Sequence, residues 1–103
     1  MNIYCGEKKH PGGKLIKICI KLSGDVVKGV LLTGDFFLEP EEEFERLKTI
    51  LLDMDTSLNN VVDAVINAIS QCKLRFYGID ISDIREAVEK AVEAIKMYHK
   101  ELK

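Results

Sequence analysis

The first third of the chain alternates apolar and polar residues, which is the pattern of β-strands that face water on one side only. The alternation is strongest over 14–22, where polar residues separate a row of apolar ones at every second position, namely Ile16, Ile18, Ile20 and Leu22. Weaker segments of the same kind occupy 2–8 and 26–33. Turn-forming sequences rich in Gly, Pro and Asp separate these segments at 10–13 and 23–25. The sequence therefore predicts three antiparallel strands.

The rest of the chain has its apolar residues at helical spacing. A first helix is predicted to begin at Pro40, whose fixed φ suits a first helical position, and the glutamates that follow lie at the positive end of the helix dipole. Its inward residues are Phe44, Leu47 and Leu51. After a break over 53–57, a second helix is predicted with a wide inward face made of Leu58, Val61, Val62, Val65, Ile66, Ile69 and Cys72.

A third helix is predicted after a connector at 73–78. Three residues of that connector are expected to be exposed, Arg75, Phe76 and Tyr77. Asp80 and Asp83 are suited to cap the N-terminus of the helix. Its apolar stripe is narrow, which predicts packing at the edge of the other helices or on a partner, and consists of Ile84, Val88, Ala91, Ile95, Tyr98 and Leu102. Its outer face is predicted to carry two i,i+4 ion pairs, Arg85–Glu89 and Glu86–Lys90.

The segment 34–40 joins the strand-like part of the chain to the helical part. We predict that Phe36, Phe37 and Leu38 form a buried wedge between the two layers, because burial of each such side chain stabilises by roughly 1.5 to 3 kcal/mol. Asp35 is the polar exception beside this wedge. Since an unpaired carboxylate is costly to bury, Asp35 must reach water, a backbone amide or a cation.

Strands come first and helices follow, so the sequence predicts a two-layer α+β fold in which a three-stranded antiparallel sheet packs against three helices. The 103 residues suffice for one hydrophobic core, and we expect a single domain over 1–103. The formal net charge is −2, with 15 basic and 17 acidic residues in no long block, which disfavours a nucleic-acid partner. The absence of a long apolar stretch and of a signal-peptide core predicts a cytoplasmic protein with no membrane partner.

The cysteines, Cys5, Cys19 and Cys72, are scattered and odd in number. This pattern predicts buried thiols in a reducing compartment rather than a disulfide framework. Together with His10 and His99 they are the soft ligands of the chain, and no pair has the short spacing of a structural zinc site, so we expect no metal centre. A Cys–His nucleophilic pair is equally unconvincing, because Cys72 lies on an apolar helix stripe. We therefore predict no catalytic residues.

The turn Gly12-Gly13-Lys14 resembles part of a phosphate-binding loop. The full motif needs a glycine and a Ser or Thr at the places that Lys8 and Leu15 occupy, followed by a helix where this chain has a strand. The favoured interpretation is a glycine turn followed by a solvated lysine, and anion binding is the alternative.

Two stretches, 11–16 and 32–42, resemble the accessory, C-terminal domain of lipoate-protein ligase, which in many archaea is a separate small subunit. The specific part of the resemblance is Gly34-Asp35-Phe36-Phe37-Leu38-Glu39-Pro40-Glu41-Glu42. The glycine–lysine turn, the hairpin and a closing Gly78-Ile79-Asp80 before the last helix come in the order of that family. The resemblance covers most of the chain, although the last helix is longer and more charged over 96–103 than the family's usual ending.

This resemblance implies a subunit without an active site of its own. In the family, the large domain binds ATP and lipoate, with magnesium expected at the same site. It forms lipoyl-adenylate and transfers the lipoyl group to a lysine of an acceptor such as an E2 domain or the glycine-cleavage H protein. The implied partner is therefore the catalytic large subunit, whose adenylation step the accessory domain supports, and no cofactor is expected on this chain alone. The implied residues near the partner or substrate are Gly12, Gly13, Lys14, Gly34, Asp35, Phe36 and Phe37.

Two of these residues carry a charge beside a glycine turn. Lys14 is placed to bring a positive charge near the triphosphate, and Asp35 to hold a loop of the partner by accepting amide or guanidinium hydrogen bonds. A local turn or cap role is the alternative for Asp35. The alternative function is an iron–sulfur scaffold or a sulfur-transfer accessory protein of related fold. Such a protein needs exposed, clustered thiols, which the cysteine spacing disfavours.

Overall fold

The computed structural model describes residues 1–101 of the chain and the side chains of residues 1–99. Its elements are, in order, β1 (Asn2–Lys9), β2 (Leu15–Ser23), β3 (Val26–Gly34), β4 (Phe37–Glu39), α1 (Glu41–Leu52), β5 (Thr56–Ser57), a one-turn 3₁₀ helix (Leu58–Asn60), α2 (Val61–Ser70), β6 (Arg75–Tyr77) and α3 (Ile81–Glu101). None of the described helices is apolar over a sufficient length to cross a membrane.

The main sheet is antiparallel and has four strands in the order β1-β2-β3-β5. Its first three strands are the ones that the alternation of apolar residues predicts, so this part of the prediction is confirmed. The fourth strand, β5, has only two residues and pairs with the start of β3. The expected three-stranded sheet is therefore corrected to four strands. A strand of two residues is too short to produce a period in the sequence.

A second, two-stranded sheet pairs β4 with β6. Phe36 and Leu38 are buried as predicted, but Phe37 is 69% exposed. Side chains alternate between the two faces of extended chain, so three consecutive residues do not all point inward. The predicted wedge of three buried side chains is therefore wrong at Phe37. In the facing strand, Phe76 is half-buried rather than exposed, while its two neighbours are exposed as predicted.

The first two helices keep most of the inward faces that the sequence predicts, although Leu58 lies in the 3₁₀ turn before α2 and Cys72 lies after its end. α1 begins one residue later than predicted, because Pro40 has an extended backbone conformation and precedes the first helical residue. Leu47 and Leu51 of α1 are fully buried, and α1 packs against β3. The buried residues of α2 are Val61, Val65, Ala68 and Ile69. Together with the inward rows of β2 and β3, these side chains form one apolar cluster.

The last helix, α3, packs across β1 and β2 and also contacts α2. The sequence predicted packing at the edge of the other helices or on a partner, and did not indicate this extensive contact with the sheet. Small residues on its inward face allow a close approach to the sheet. A Cβ added at Gly6 of β1 would overlap the carbonyl oxygen of Ala87 and the amide nitrogen of Ala91. β1 has no side chain at Gly6, so the small residues Ala87 and Ala91 fill the contact at this point of the apolar stripe. Tyr98 was predicted to face inward but is 46% exposed, so the stripe is wrong there. Leu102, the last residue of the predicted stripe, lies outside the described residues.

The charges on α3 pair differently from the prediction. Glu86 binds Lys8 of β1, with 2.6 Å between the carboxylate oxygen and the ammonium nitrogen. The hydrogen bond to Glu86 raises the pKa of Lys8 despite the opposing effect of desolvation. Helical spacing alone could not show that Glu86 would pair with Lys8 of the strand and not with Lys90. Neither predicted pair forms among the described residues, that is, Arg85–Glu89 and Glu86–Lys90.

The cysteines contradict the prediction of buried, unlinked thiols. Cys5 and Cys19 form a disulfide across β1 and β2, where they lie directly opposite each other in the strand register. The turn between the strands brings together two residues that are 14 positions apart, and their spacing alone did not indicate this pairing. Cys72 is a free, buried thiol, as predicted.

Candidate functional site

The turn between β1 and β2 holds the first candidate residues. The His10 amide donates to the carbonyl of Lys14 at 2.7 Å, and the Gly13 amide donates to the carbonyl of His10 at 2.8 Å. Gly12 and Gly13 have φ angles of 102° and 112°, values that residues with a side chain rarely adopt. Because its backbone is fixed in this way, the turn holds Lys14 in a defined position before β2.

Asp35 joins the end of β3 to the start of β2. Its carboxylate Oδ1 accepts a hydrogen bond from the Leu15 amide at 2.6 Å, and its own amide donates to the Leu15 carbonyl at 3.3 Å. Gly34 permits this approach, since an added Cβ would overlap the Leu15 carbonyl oxygen. The expectation that Asp35 reaches water, a backbone amide or a cation is met by a backbone amide. This is the contact of a turn residue.

The loop between β6 and α3 completes this end of the sheet. Gly78 has a φ of 82°, and a Cβ added there would lie 2.7 Å from Cγ of Lys14. The methylene stem of Lys14 therefore packs on Gly78. Its ammonium group forms no ion pair among the described residues. We call the three converging segments, 10–15, 34–35 and 78–80, the glycine end of the sheet.

A buried carboxylate ties the glycine end to the first turn of α3. Asp83 is 5% exposed, and its Oδ2 accepts hydrogen bonds from His10 Nδ1 at 2.5 Å and from the Asp80 amide at 2.8 Å. Burial works to raise the pKa of Asp83. The Asp80 amide and His10, helped by the charge of Lys8, outweigh burial and hold this pKa below its ordinary value. The predicted cap of α3 is confirmed, since Asp83 accepts the Asp80 amide. The same carboxylate also binds His10, and we call this hydrogen-bonded pair the His10–Asp83 latch.

Three atoms of this latch region have the spacing of metal ligands. His10, Asp80 and Asp83 each offer one ligand atom, and these atoms lie within 4.8 Å of one another. Motif spacing could not reveal the group, because 73 positions separate His10 from Asp83. The hydrogen bonds that Asp83 accepts from His10 and Asp80 already account for the arrangement as a helix cap. We therefore assign the group a structural role.

The thiols do not supply a nucleophile or a cluster. Cys5 and Cys19 are bonded to each other, and burial raises the pKa of the Cys72 thiol. The alternative function as an iron–sulfur scaffold or sulfur-transfer protein needs exposed thiols close together, and this arrangement does not favour it.

The remaining candidates, Phe36 and Phe37, lie beside a groove. Phe36 points inward, and its ring centroid is 6.0 Å from that of Phe44. Phe37 points outward on β4, and both phenylalanines line a groove of about 530 Å³ between β4 and the start of α1, which we call the β4–α1 groove. The candidate residues therefore divide into two neighbouring places: the glycine end carries the turn residues with Gly34 and Asp35, and the groove carries the aromatic pair.

The architecture of the described residues defines a mixed α+β protein with three helices, a four-stranded antiparallel sheet and a two-stranded sheet. No protein-family model matches the sequence, and no curated protein matches it.

Among solved structures, the chain is similar to one from an archaeal lipoylation system, the bipartite lipoate protein ligase and its E2 lipoyl domain from Thermoplasma acidophilum. The two chains are 25% identical with a TM-score of 0.66, and the match covers 84% of this chain and 94% of that chain. The similarity supports a related fold and suggests a lipoylation-related role, in agreement with the resemblance seen in the sequence.

Proposed function

We propose that this chain is the non-catalytic accessory subunit of a bipartite lipoate-protein ligase. It binds the catalytic large subunit and supports the ATP-dependent adenylation of lipoate. One observation carries the proposal, namely the match to a chain of the T. acidophilum system over 84% of this chain and 94% of that chain. A match that covers nearly all of both chains relates two polypeptides of similar length.

The contribution of such a subunit is positioning rather than chemistry. A small protein can accelerate adenylation by ordering loops around the adenylate and excluding water from it. Lys14 is our candidate for direct electrostatic support: its stem is held against Gly78, and its ammonium has no ion-pair partner among the described residues. In the complex it places a positive charge near the phosphates of ATP, which the partner binds together with magnesium and lipoate.

Asp35 supports Lys14 indirectly. Its carboxylate accepts the amide of Leu15, the residue next to Lys14, and so holds the start of β2 against the end of β3. We therefore propose that Asp35 positions the turn. We prefer this role to the direct contact with a partner loop that the sequence suggested for Asp35. The two glycines of the turn act in the same way through positive φ angles that residues with a side chain rarely adopt, and Gly34 acts through the room it leaves for the Leu15 carbonyl.

The complex is proposed to work in the cytoplasm on lipoyl-acceptor proteins. The T. acidophilum system contains an E2 lipoyl domain, and this supports an acceptor of that type here, with the glycine-cleavage H protein as a second candidate. The acceptor meets the catalytic subunit, so this chain contacts it only indirectly.

The direct test is pyrophosphate release from ATP and lipoate by the candidate large subunit, with and without this chain. We expect release that requires both proteins. Equal release by the large subunit alone would show that the proposed function is wrong for this pair.

The role of Lys14 is tested with Lys14→Ala in the same assay. We expect adenylation to slow by about tenfold, the effect of roughly 1.4 kcal/mol on the barrier. Lys17→Ala is the matched control, since Lys17 is an exposed lysine of β2, three positions after Lys14. An unchanged rate with Lys14→Ala would remove Lys14 from the mechanism while leaving the accessory role intact.

A further inference from the structure

The β4–α1 groove has apolar walls and an acidic rim. The apolar walls are formed by Phe36, Phe37, Leu38, Pro40 and Phe44. The charged lining residues are Glu39, Glu41, Glu45 and Lys48. Aromatic walls with a few charged groups at the margin are the usual composition of a surface that receives an apolar side chain from another molecule.

Phe37 is the exposed wall of this groove. It is 69% exposed, although Phe36 and Leu38 on either side of it are buried. Its cross-strand neighbour Tyr77 is 44% exposed, so the outward face of the small sheet is aromatic on both strands. A pair of exposed aromatic rings contributes little to the folding of this chain, and such rings are the side chains that contribute most to protein–protein binding.

The charges of the groove determine what its occupant carries. Lys48 closes one end: its ammonium lies 4.7 Å from the centroid of the Phe44 ring and 2.7 Å from the Glu45 carboxylate. Glu45 is therefore already paired. Glu39 and Glu41 form no ion pair with any described residue. The open end of the groove thus offers two carboxylates, which complement a cationic side chain.

The strand at the groove determines the shape of the occupant. Within the described part of the chain, β4 pairs with β6 on one side and with no strand on the other. An open strand edge beside side-chain pockets is the arrangement that binds an extended peptide by adding a strand.

We propose that the β4–α1 groove binds an extended segment of the catalytic large subunit, in which a large apolar side chain packs between Phe37 and Phe44 and a neighbouring Lys or Arg binds Glu39 and Glu41. This inference rests on the proposed function for the identity of the partner. It adds the surface of contact and the chemistry of the segment that occupies it.

The test measures the dissociation constant of the purified large subunit for this chain and for surface variants. Phe37→Ala is expected to weaken binding by about tenfold or more, as is usual for an aromatic residue at the centre of an interface. Met97→Ala is the matched control, because Met97 is 63% exposed on α3 and is expected to bind like the original chain. Equal thermal unfolding temperatures for the two variants establish that both are folded.

A second pair of variants tests the charges. The double variant Glu39→Gln with Glu41→Gln is expected to bind more weakly and to lose much of the salt dependence of binding, because ion pairs at a rim are screened by salt. Glu93→Gln, which removes an exposed carboxylate of α3, is expected to leave both the affinity and its salt dependence unchanged.

The outcomes separate this inference from the function on which it rests. If the original chain neither binds the large subunit nor stimulates it, the proposed function fails. If it does both but Phe37→Ala binds as tightly as Met97→Ala, the groove is not the docking surface and the function stands. Self-association of the isolated chain that disappears in Phe37→Ala, with unchanged binding to the large subunit, would assign the groove to a second copy and overturn the inference.

Discussion

The His10–Asp83 latch leads to a prediction whose size follows from its contacts. Asp83→Ala removes the acceptor of two hydrogen bonds, one from the His10 ring at 2.5 Å and one from the Asp80 amide at 2.8 Å. Loss of the cap at the start of α3 costs about 1 kcal/mol. Loss of the charge-assisted hydrogen bond to His10 costs about 1.5 to 3 kcal/mol, because the carboxylate is buried.

Together these losses lower the free energy of unfolding by about 2.5 to 4 kcal/mol. This is a large fraction of the roughly 5 to 15 kcal/mol by which a domain is stable. The melting temperature is expected to fall by roughly 10 to 20 °C. Urea denaturation at pH 7 measures the free energy directly, and calorimetry measures the melting temperature.

The pH dependence tests the assignment of this energy to the ionised carboxylate. The pKa of Asp83 is lower in the folded protein than in the unfolded chain, so its contribution to stability is present above the unfolded pKa of about 3.9. It is lost as the pH falls through the lower folded pKa. The difference in stability between the original chain and Asp83→Ala is therefore expected to be full at neutral pH and to shrink below about pH 4.

The partner residue and a control complete the experiment. In a double-mutant cycle with His10→Ala, we expect a coupling energy of about 1 kcal/mol or more between His10 and Asp83. Glu93→Ala on the exposed face of α3 is expected to change stability by no more than about 0.5 kcal/mol. Stability of Asp83→Ala equal to that of the control at pH 7, or a deficit that is unchanged at pH 3, would contradict this role of the ionised carboxylate.

Two further predictions concern contacts of β1. Gly6→Ala is expected to destabilise the chain by about 3 kcal/mol, because the new methyl group would overlap the backbone at Ala87 and Ala91 and push α3 from the sheet. Urea denaturation measures this loss. An unchanged denaturation midpoint would contradict the close packing of α3 on β1. The double variant Cys5→Ser with Cys19→Ser is expected to lose roughly 2 to 3 kcal/mol, since the disulfide closes a loop of sequence separation 14. Stability equal to that of the oxidised protein would mean that the strand pairing alone holds this hairpin.

Some of the candidate site could be predicted from the sequence because its signals are local. Paired glycines predict a turn, and Asp80 with Asp83 three positions later predicts a helix cap, since each pattern operates within a few residues of the chain. The requirement that Asp35 find a partner also followed from its charge and its apolar neighbours. The identity of that partner, the Leu15 amide, did not, because 20 positions separate the two residues.

Two sequence-based predictions, the burial of Phe37 and the ion pair of Glu86, were wrong because the interactions that decide them leave no local pattern. The Phe-Phe-Leu run is apolar throughout, but the strand conformation of β4 turns Phe37 outward and so creates one wall of the groove. That conformation depends on pairing with β6, about 40 residues further along the chain. Glu86 is likewise drawn to Lys8 of β1 and not to the lysine one helical turn away.

The sequence alone predicted the three long strands, the three helices, most of the residues on their inward faces and the resemblance that led to a lipoylation-related role. These properties follow from periodicity, turn chemistry and motif order, which depend on residues close together in the sequence or on their order along it. Three contacts became visible only in the folded chain: Cys5 is bonded to Cys19, His10 is hydrogen-bonded to Asp83, and the stem of Lys14 packs on Gly78. Each of these contacts joins segments that no local pattern relates. The pairing of β1 with β2 sets the first, and the packing of α3 and of the loop before it against the β1–β2 turn sets the other two.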